Sequence, residues 1–582
     1  MNLSWTFRIV GGPLRPFLFG KVRDSVRERW SLLRLWQTLP TAPSEGRTLR
    51  ENIVPLPSSA WFSQHSDHVL TFARRMRSGT VGAYGINRWK VGDADPSSVD
   101  VRCVHELSRM HHWCAYALAA HIDPSNRDAW CEQLVQEIVT FSQSYPVGTG
   151  VHWQFPMGIG IRLHSMLVAW DWARRSGWSN ADADRRIAAM AIDHAKLTLA
   201  RRESRGGLST SHYAANLLGI LAAGCYLQGT TEAGAWRQLA VRELKRELLR
   251  QVFDGGLSNE ASTGYHRQIV DTFVHAFHLI HLSGDAILHS SDYHRRLTAA
   301  IAWCQYLDQL GMPLIGDNDD GLSVKLTGFE PSLSYTYDVA NRLLGNNTVA
   351  RTASAIVIDQ QFGIAVLRDD GVQCTIRSGP FGQFGKGGHA HNDQGSVTVR
   401  VDGHWIVVDP GSSTYTDDHA QRNAERSACH HSTMWWRDQE QGAYPPGEGG
   451  LFWLLGDRIR SEIRENGTGQ IQCTTHRKGL GTHERTIAIE HGEVLGHDQC
   501  TGADLGAVDC VFVFHPDVTV NPLDESSVLV QSGGVHLRLS WSQGIGRIEP
   551  GTVSPHFSEI TSTSVLRIAA AQISWRFERY IA

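Results

Sequence analysis

The feature that most constrains this chain is a change in the spacing of its apolar residues near position 350. From about residue 105 they recur at helical intervals: Ala115, Leu118 and Ala119, then Leu134, Ile138 and Phe141, then Leu217, Leu218 and Leu221, and later Phe273, Phe277 and Ile280. Stripes of this kind mark helices that bury one face. Breakers separate them: Asp123-Pro124-Ser125, Gly148-Thr149-Gly150, Arg205-Gly206-Gly207 and Asp254-Gly255-Gly256. Successive antiparallel helix pairs bundle, stack as a solenoid or close into a toroid, and the lack of a fixed-period repeat disfavours the solenoid. After about residue 355 the period falls to two, in runs such as Ile364–Leu367, Val372–Ile376, Val397–Val401, Val511–Phe514 and Val535–Leu539. Asp402-Gly403 and Ser532-Gly533-Gly534 supply turns between such runs. Many short strands at close spacing predict a large antiparallel β-sandwich. The reading is an irregular lead-in over 1–104, a helical domain over 105–350 and a sheet domain over 355–582.

A length of 582 residues suits two domains. With 41% hydrophobic and 20% charged residues and a formal net charge of −4, the chain is neither disordered nor built as a nucleic-acid-binding surface. Its 19 Trp tip the reading mildly toward carbohydrate, because sugar rings stack on indoles. The ten cysteines are scattered with no Cys-x-x-Cys pair, which fits buried thiols and not a disulfide scaffold or a four-cysteine zinc site. Residues 1–20 carry an apolar run broken by Gly11, Gly12, Pro13 and Arg15, without the features of a secretory signal, so the expectation is cytoplasmic. No segment reaches the length of a membrane span.

The chemistry concentrates in islands. Gly387-Gly388-His389-Ala390-His391-Asn392-Asp393 precedes Asp409-Pro410-Gly411 and His430-His431-Ser432-Thr433. Read as a strand, positions 389 and 391 share a face, and a bulge or strand end would have to intervene for the two to take different roles. Two imidazoles with a nearby carboxylate suit a zinc-like cation, or proton transfer beside an anionic substrate. Three further islands lie in the helical region: Ser209-Thr210-Ser211-His212-Tyr213, the stretch from Asp254 to His266 with Glu260 and Tyr265, and Gly316-Asp317-Asn318-Asp319-Asp320. Ser209, Ser211, Ser262 and Asp317 read equally as helix caps. Asp317, Asp319 and Asp320 lack the glycine and spacing of an EF-hand loop, so calcium is rejected there. Trp89, Trp153 and Trp435 are candidate stacking platforms, with core packing the more economical role.

Together, Asp-Gly-Gly…Glu-x-Ser-x-x-Tyr-His, Gly-Gly-His-x-His-x-Asp, Asp-Pro-Gly…Tyr and Arg…His-x-Thr resemble the heparinase II/III-like polysaccharide lyases, including alginate and oligoalginate lyases of the same architecture, over roughly residues 105–580. The resemblance implies an incomplete (α/α) toroid followed by an antiparallel β-sandwich. It implies Tyr265 and His389 as the acid–base pair and His212, next to Ser211, as the group neutralising a uronate carboxylate. It also implies a structural zinc ion on His391, Asp409 and His431. His266, Glu260, Arg162, Tyr415 and Arg426 become substrate-binding candidates, with Arg422 a further cation for the carboxylate. Two departures stand out: Ser211 replaces the family's usual Asn, and Ser432 replaces the Asn of His-Asn-Thr.

The leading expectation is a lyase cleaving an acidic, uronate-containing polysaccharide by β-elimination. The absence of long basic runs leans toward a non-sulfated polymer. Hydrolysis by paired carboxylates is a second enzyme reading, less well supplied by these islands. A polysaccharide-binding or surface-polysaccharide biosynthesis protein with weakened chemistry is the alternative, supported by Ser211. The resemblance also leaves periplasmic location or export open.

Overall fold

Helices first and antiparallel sheets second is the order found in the computed structural model, which describes residues 48–79, 100–204, 208–284, 291–345, 354–447, 450–467 and 469–580. The chain forms two compact units that interleave in sequence. The first holds residues up to Gln251 with Arg267–Ile301 and Asp320–Thr348; the second holds Val252–His266, Ala302–Asp319 and everything from Val349 onward. Trp89 and the Arg205-Gly206-Gly207 breaker lie outside the described residues, as do the first 47 positions.

In the first unit the apolar stripes form the expected helices, among them His112–Ile122, Arg127–Ser144, Pro156–Arg175, Ser211–Tyr226 and Thr231–Gln251. Pro156–Arg175 is buried on nearly every side. It crosses Ser211–Tyr226 where Gly160 meets Gly219: a Cβ on Gly219 would lie 2.6 Å from Gly160 Cα. No larger residue permits this approach without spreading the helices. No helix among the described residues is long and apolar enough to cross a membrane.

The second unit is built on three antiparallel sheets. An eight-stranded sheet runs from Thr519–Asp524 at one edge to Ile459–Glu465 at the other, a four-stranded sheet from Ile545–Val553 to Met434–Trp436, and a five-stranded sheet from Ile356–Asp359 to His404–Val407. Alternation decides the faces. In Ile471–Arg477, Ile471, Cys473 and Thr475 point inward, whereas their neighbours are half-exposed or exposed. The shared core joins Cys374, Ile376, Val399, Ile487, Phe512, Leu539 and Trp575. Burying each large apolar side chain here contributes roughly 1.5–3 kcal/mol. The same core holds a charged group: Asp498 accepts hydrogen bonds from Arg485 Nε (2.6 Å), His483 Nε2 (2.7 Å) and Trp575 Nε1 (2.7 Å). Nine cysteines are buried and Cys429 is half-buried; all are free thiols.

The central strand Val372–Arg377 is buried along its whole length, so the five-stranded sheet is covered on both faces. One face joins the sandwich core, and the other packs Val357, Phe362, Ile364 and Val366 against Leu257, Trp303, Tyr306, Leu307 and Leu310. This second cover draws residues 252–266 and 302–319 out of the helical stretch and into the sheet unit.

Candidate functional site

The segment from Pro380 to Gly395 is loop and 3-10 turn, not strand. The expected shared face of His389 and His391 therefore does not exist. Strand alternation no longer applies, and the two imidazoles turn to different partners.

His389 is nearly buried, and its Nδ1 lies 2.8 Å from Glu260 Oε2. A carboxylate only accepts, so Nδ1 carries the proton and Nε2 is left for exchange. Gln383 donates its amide to the same Glu260 oxygen (2.6 Å) and accepts from Gly388 N (2.9 Å). Gln383 and Phe384 hold positive φ of 48° and 56°, a backbone cost of ~1–3 kcal/mol each that the surrounding hydrogen bonds must outweigh. Tyr265 lies flat on the His389 ring, with centroids 3.4 Å apart and planes at 11°. It lies in the first turn of the helix Thr263–Leu282, where Ser262 Oγ accepts from Tyr265 N (3.1 Å), which makes Ser262 the cap that the sequence suggested.

His391 is fully buried, and its Nε2 donates to Asp317 Oδ1 at 2.9 Å. Asp317 is not a helix cap. It is clamped by both terminal nitrogens of Arg422, one at 2.7 Å from Oδ2 and the other on Oδ1. Burial pushes the Asp317 carboxyl up, but Arg422 and His391 outweigh it and hold it well below the usual range. His431 Nδ1 donates to Ser427 O (2.8 Å), and its Nε2 stands 3.1 Å from His391 Nδ1 and 3.7 Å from Asp409 Oδ2. All three side chains are buried, with donor atoms within 4.8 Å of one another. Burial lowers the pKa of both imidazoles and raises that of Asp409 well above the ordinary carboxylate value.

These contacts test the fit of a metal ion. Both rings spend their only N–H on outside acceptors, so two bare lone pairs face each other beside a carboxylate. A cation between them removes the repulsion. Two nitrogens on one tetrahedral zinc, each at ~2.0–2.1 Å, stand about 3.3 Å apart, close to the spacing here. The residues fit a cation.

In the helical unit His212 is about one-third exposed, and its Nδ1 donates to Glu203 Oε1 (2.9 Å). Asn216 and Met157 N hold the other Glu203 oxygen, at 3.2 and 3.0 Å. Ser211 is buried at the start of its helix. Ser209 donates to Glu247, so it too is not the cap.

Several candidates are committed internally. Arg162 is fully buried and donates to Ser108 O, His152 O and His194 Nε2. His266 is buried, with Nδ1 accepting from Ser258 N (3.2 Å). Tyr415 is buried and donates to Asn318 O (2.9 Å) under the Arg422 guanidinium. Arg426 is buried against Tyr444 and donates to Asn423 Oδ1 (2.6 Å). Trp153 is core, and Trp435 is half-buried beneath Arg567. Sequence reasoning missed Glu203 and Gln383, which belong to no motif, and misread Asp317. A polar residue at a glycine-rich break was the only available signal for Gln383.

Two family models match the chain: Heparinase II/III N-terminus over residues 81–322, and Heparinase II/III-like, C-terminal over residues 359–576. Among solved structures it is similar to a heparinase III, with a TM-score of 0.67 and 13% identity, covering 94% of this chain and 88% of that one. A heparan sulfate lyase mutant from Pedobacter heparinus gives a TM-score of 0.60 and 15% identity over 99% of this chain and 90% of its own. A heparinase III gene product with methylated lysines gives a TM-score of 0.60 at 14% identity over 98% and 91%. Comparison with curated proteins gives no match.

Proposed function

The chain belongs to the heparinase II/III-like family of polysaccharide lyases, and from that premise we propose that it cleaves a uronate-containing acidic polysaccharide by β-elimination, with Tyr265 and His389 as its acid–base pair. The observation that carries this reading is the stack of Tyr265 on His389 with Glu260 holding Nδ1. In β-elimination a base removes the C5 proton, a C4=C5 double bond forms, and the O4 leaving group takes up a proton. His389 Nε2 accepts the C5 proton, and the Tyr265 phenol protonates O4. Glu260 fixes the His389 tautomer and steadies the positive charge that the ring gains. His212, oriented by Glu203, supplies a donor to the substrate carboxylate, which makes the C5 proton more acidic. Ser211 is proposed as a lesser contact beside it.

The metal that His391, Asp409 and His431 would hold is proposed to be zinc, in a structural role: it would supply a positive charge between the 389–391 loop and the segments carrying Asp409 and His431. The elimination steps belong to the side chains above.

The experiment is ultraviolet absorbance of the unsaturated uronate while the protein is incubated with a panel of uronate polymers, sulfated and non-sulfated. A rise abolished by Tyr265→Phe and by His389→Ala supports the reading. New reducing ends without absorbance would mean hydrolysis and would overturn it.

A further inference from the structure

Resting on the metal reading above, we propose that Asp317, clamped by Arg422, is the positioning residue that selects the ligand nitrogen of His391, so that His391 binds the cation through Nδ1 and His431 binds it through Nε2. A neutral imidazole has one N–H and one lone pair, and whichever acceptor takes the N–H decides where the lone pair points. For His391 that acceptor is Asp317 Oδ1 on Nε2, and for His431 it is Ser427 O on Nδ1. The two rings are thus held in opposite tautomers, and this brings Nδ1 of one to 3.1 Å from Nε2 of the other.

Asp317 has little freedom to do otherwise. Arg422 occupies both carboxylate oxygens and fixes the plane of the group. Its backbone N–H donates to His389 O (3.0 Å). The preceding Gly316 has φ of 69°, and a Cβ there would lie 2.6 Å from both Ala261 O and His389 O. The chain therefore passes beneath the histidine loop at one height, where Oδ1 meets His391. The next residue continues the anchorage: Asn318 N donates to Ser412 Oγ (2.9 Å), and its side-chain amide donates to Ser554 O (2.6 Å). The acidic island at 316–318 is thus the outer support of the cation site. Carboxylate–histidine–metal pairing of this kind raises ligand basicity and fixes ring orientation.

The test strips the full-length protein with a chelator, reloads it with zinc, and measures affinity by competition with a chromophoric chelator. Asn at 317 keeps the shape but offers a donor as well as an acceptor, and weakens the hold of Arg422. Asp317→Asn is expected to weaken zinc binding by about 10- to 100-fold, with the circular dichroism spectrum of the wild type. A second measurement needs no variant. In the cadmium-loaded wild type, through-bond coupling reaches both ring carbon protons of a histidine bound by Nε2, but chiefly Hε1 of one bound by Nδ1. One histidine of each kind is expected. Two bound through Nε2, or an Asp317→Asn protein that binds zinc as tightly as the wild type, overturns the inference and leaves the metal reading intact. A wild type that takes up no divalent cation overturns both.

Discussion

His389 and His391 are separated by one alanine, yet their surroundings are opposite in kind. Glu260 takes Nδ1 of His389, while Asp317 takes Nε2 of His391. The first ring lies under a tyrosine and keeps a nitrogen for proton exchange; the second faces another lone pair and a carboxylate. Both carboxylates come from the helical stretch of sequence and pack in the sheet unit. A histidine's chemistry is set by the acceptor that claims one of its nitrogens.

Removing the Tyr265 hydroxyl separates the two sides outright. Tyr265→Phe should lower kcat by about 10²–10⁴-fold, the span of a lost general acid or base, with zinc content and melting temperature unchanged. Coincident loss of zinc would erase the distinction. Glu260→Gln should be milder: replacing a charged acceptor by a neutral one costs ~1.5–3 kcal/mol, or about 10- to 150-fold in kcat, again with zinc retained. This variant disturbs the acceptor shared by His389 and Gln383 and keeps the Asp317–His391 hydrogen bond.

On the other side, chelation should lower the melting temperature, and re-added zinc should restore it. Zinc at a hundredfold excess over Kd stabilises by about 2.7 kcal/mol. An Asp409→Asn protein should lose this increment, as measured by calorimetry with and without zinc.

Acidification gives the smallest and most graded contrast. Ligand imidazoles must be neutral and the ligand carboxylate ionised, so the zinc increment should fall as the pH is lowered, through protonation of Asp409, whose carboxyl burial raises, and of His391 and His431, which burial lowers. An increment that does not fall on acidification would contradict this assignment. Asp498 behaves differently. Burial pushes its carboxyl up, but Arg485 and His483 outweigh this and hold it below the unfolded value of about 4. Its contribution is therefore present above about pH 4 and lost as pH falls through the folded value. Asp498→Asn should flatten the acid limb of a stability–pH profile.

Much of the fold was legible because period is a local property. The stripe Leu134, Ile138 and Phe141 became one helix face, and Asp402-Gly403 became a turn at positive φ between two paired strands. The convergence of His391, Asp409 and His431 was also readable, because their islands resemble the motifs of the family. The loop conformation of 389–391 was not, because histidines at alternate positions look alike on a strand and in a glycine-rich turn. Nor was the internal commitment of Arg162, whose helix is buried on nearly every side and not along one stripe.

Residue order and spacing were enough to give the succession of helices and sheets, the family, and the residue types available for proton transfer and cation binding. What needed the folded chain was the acceptor that each of the two near-adjacent histidines meets, set through Glu260, Gln383, Asp317 and Arg422. Those assignments rest on hydrogen bonds that close across long stretches of chain, and hydrogen bonds of that range leave no periodicity behind.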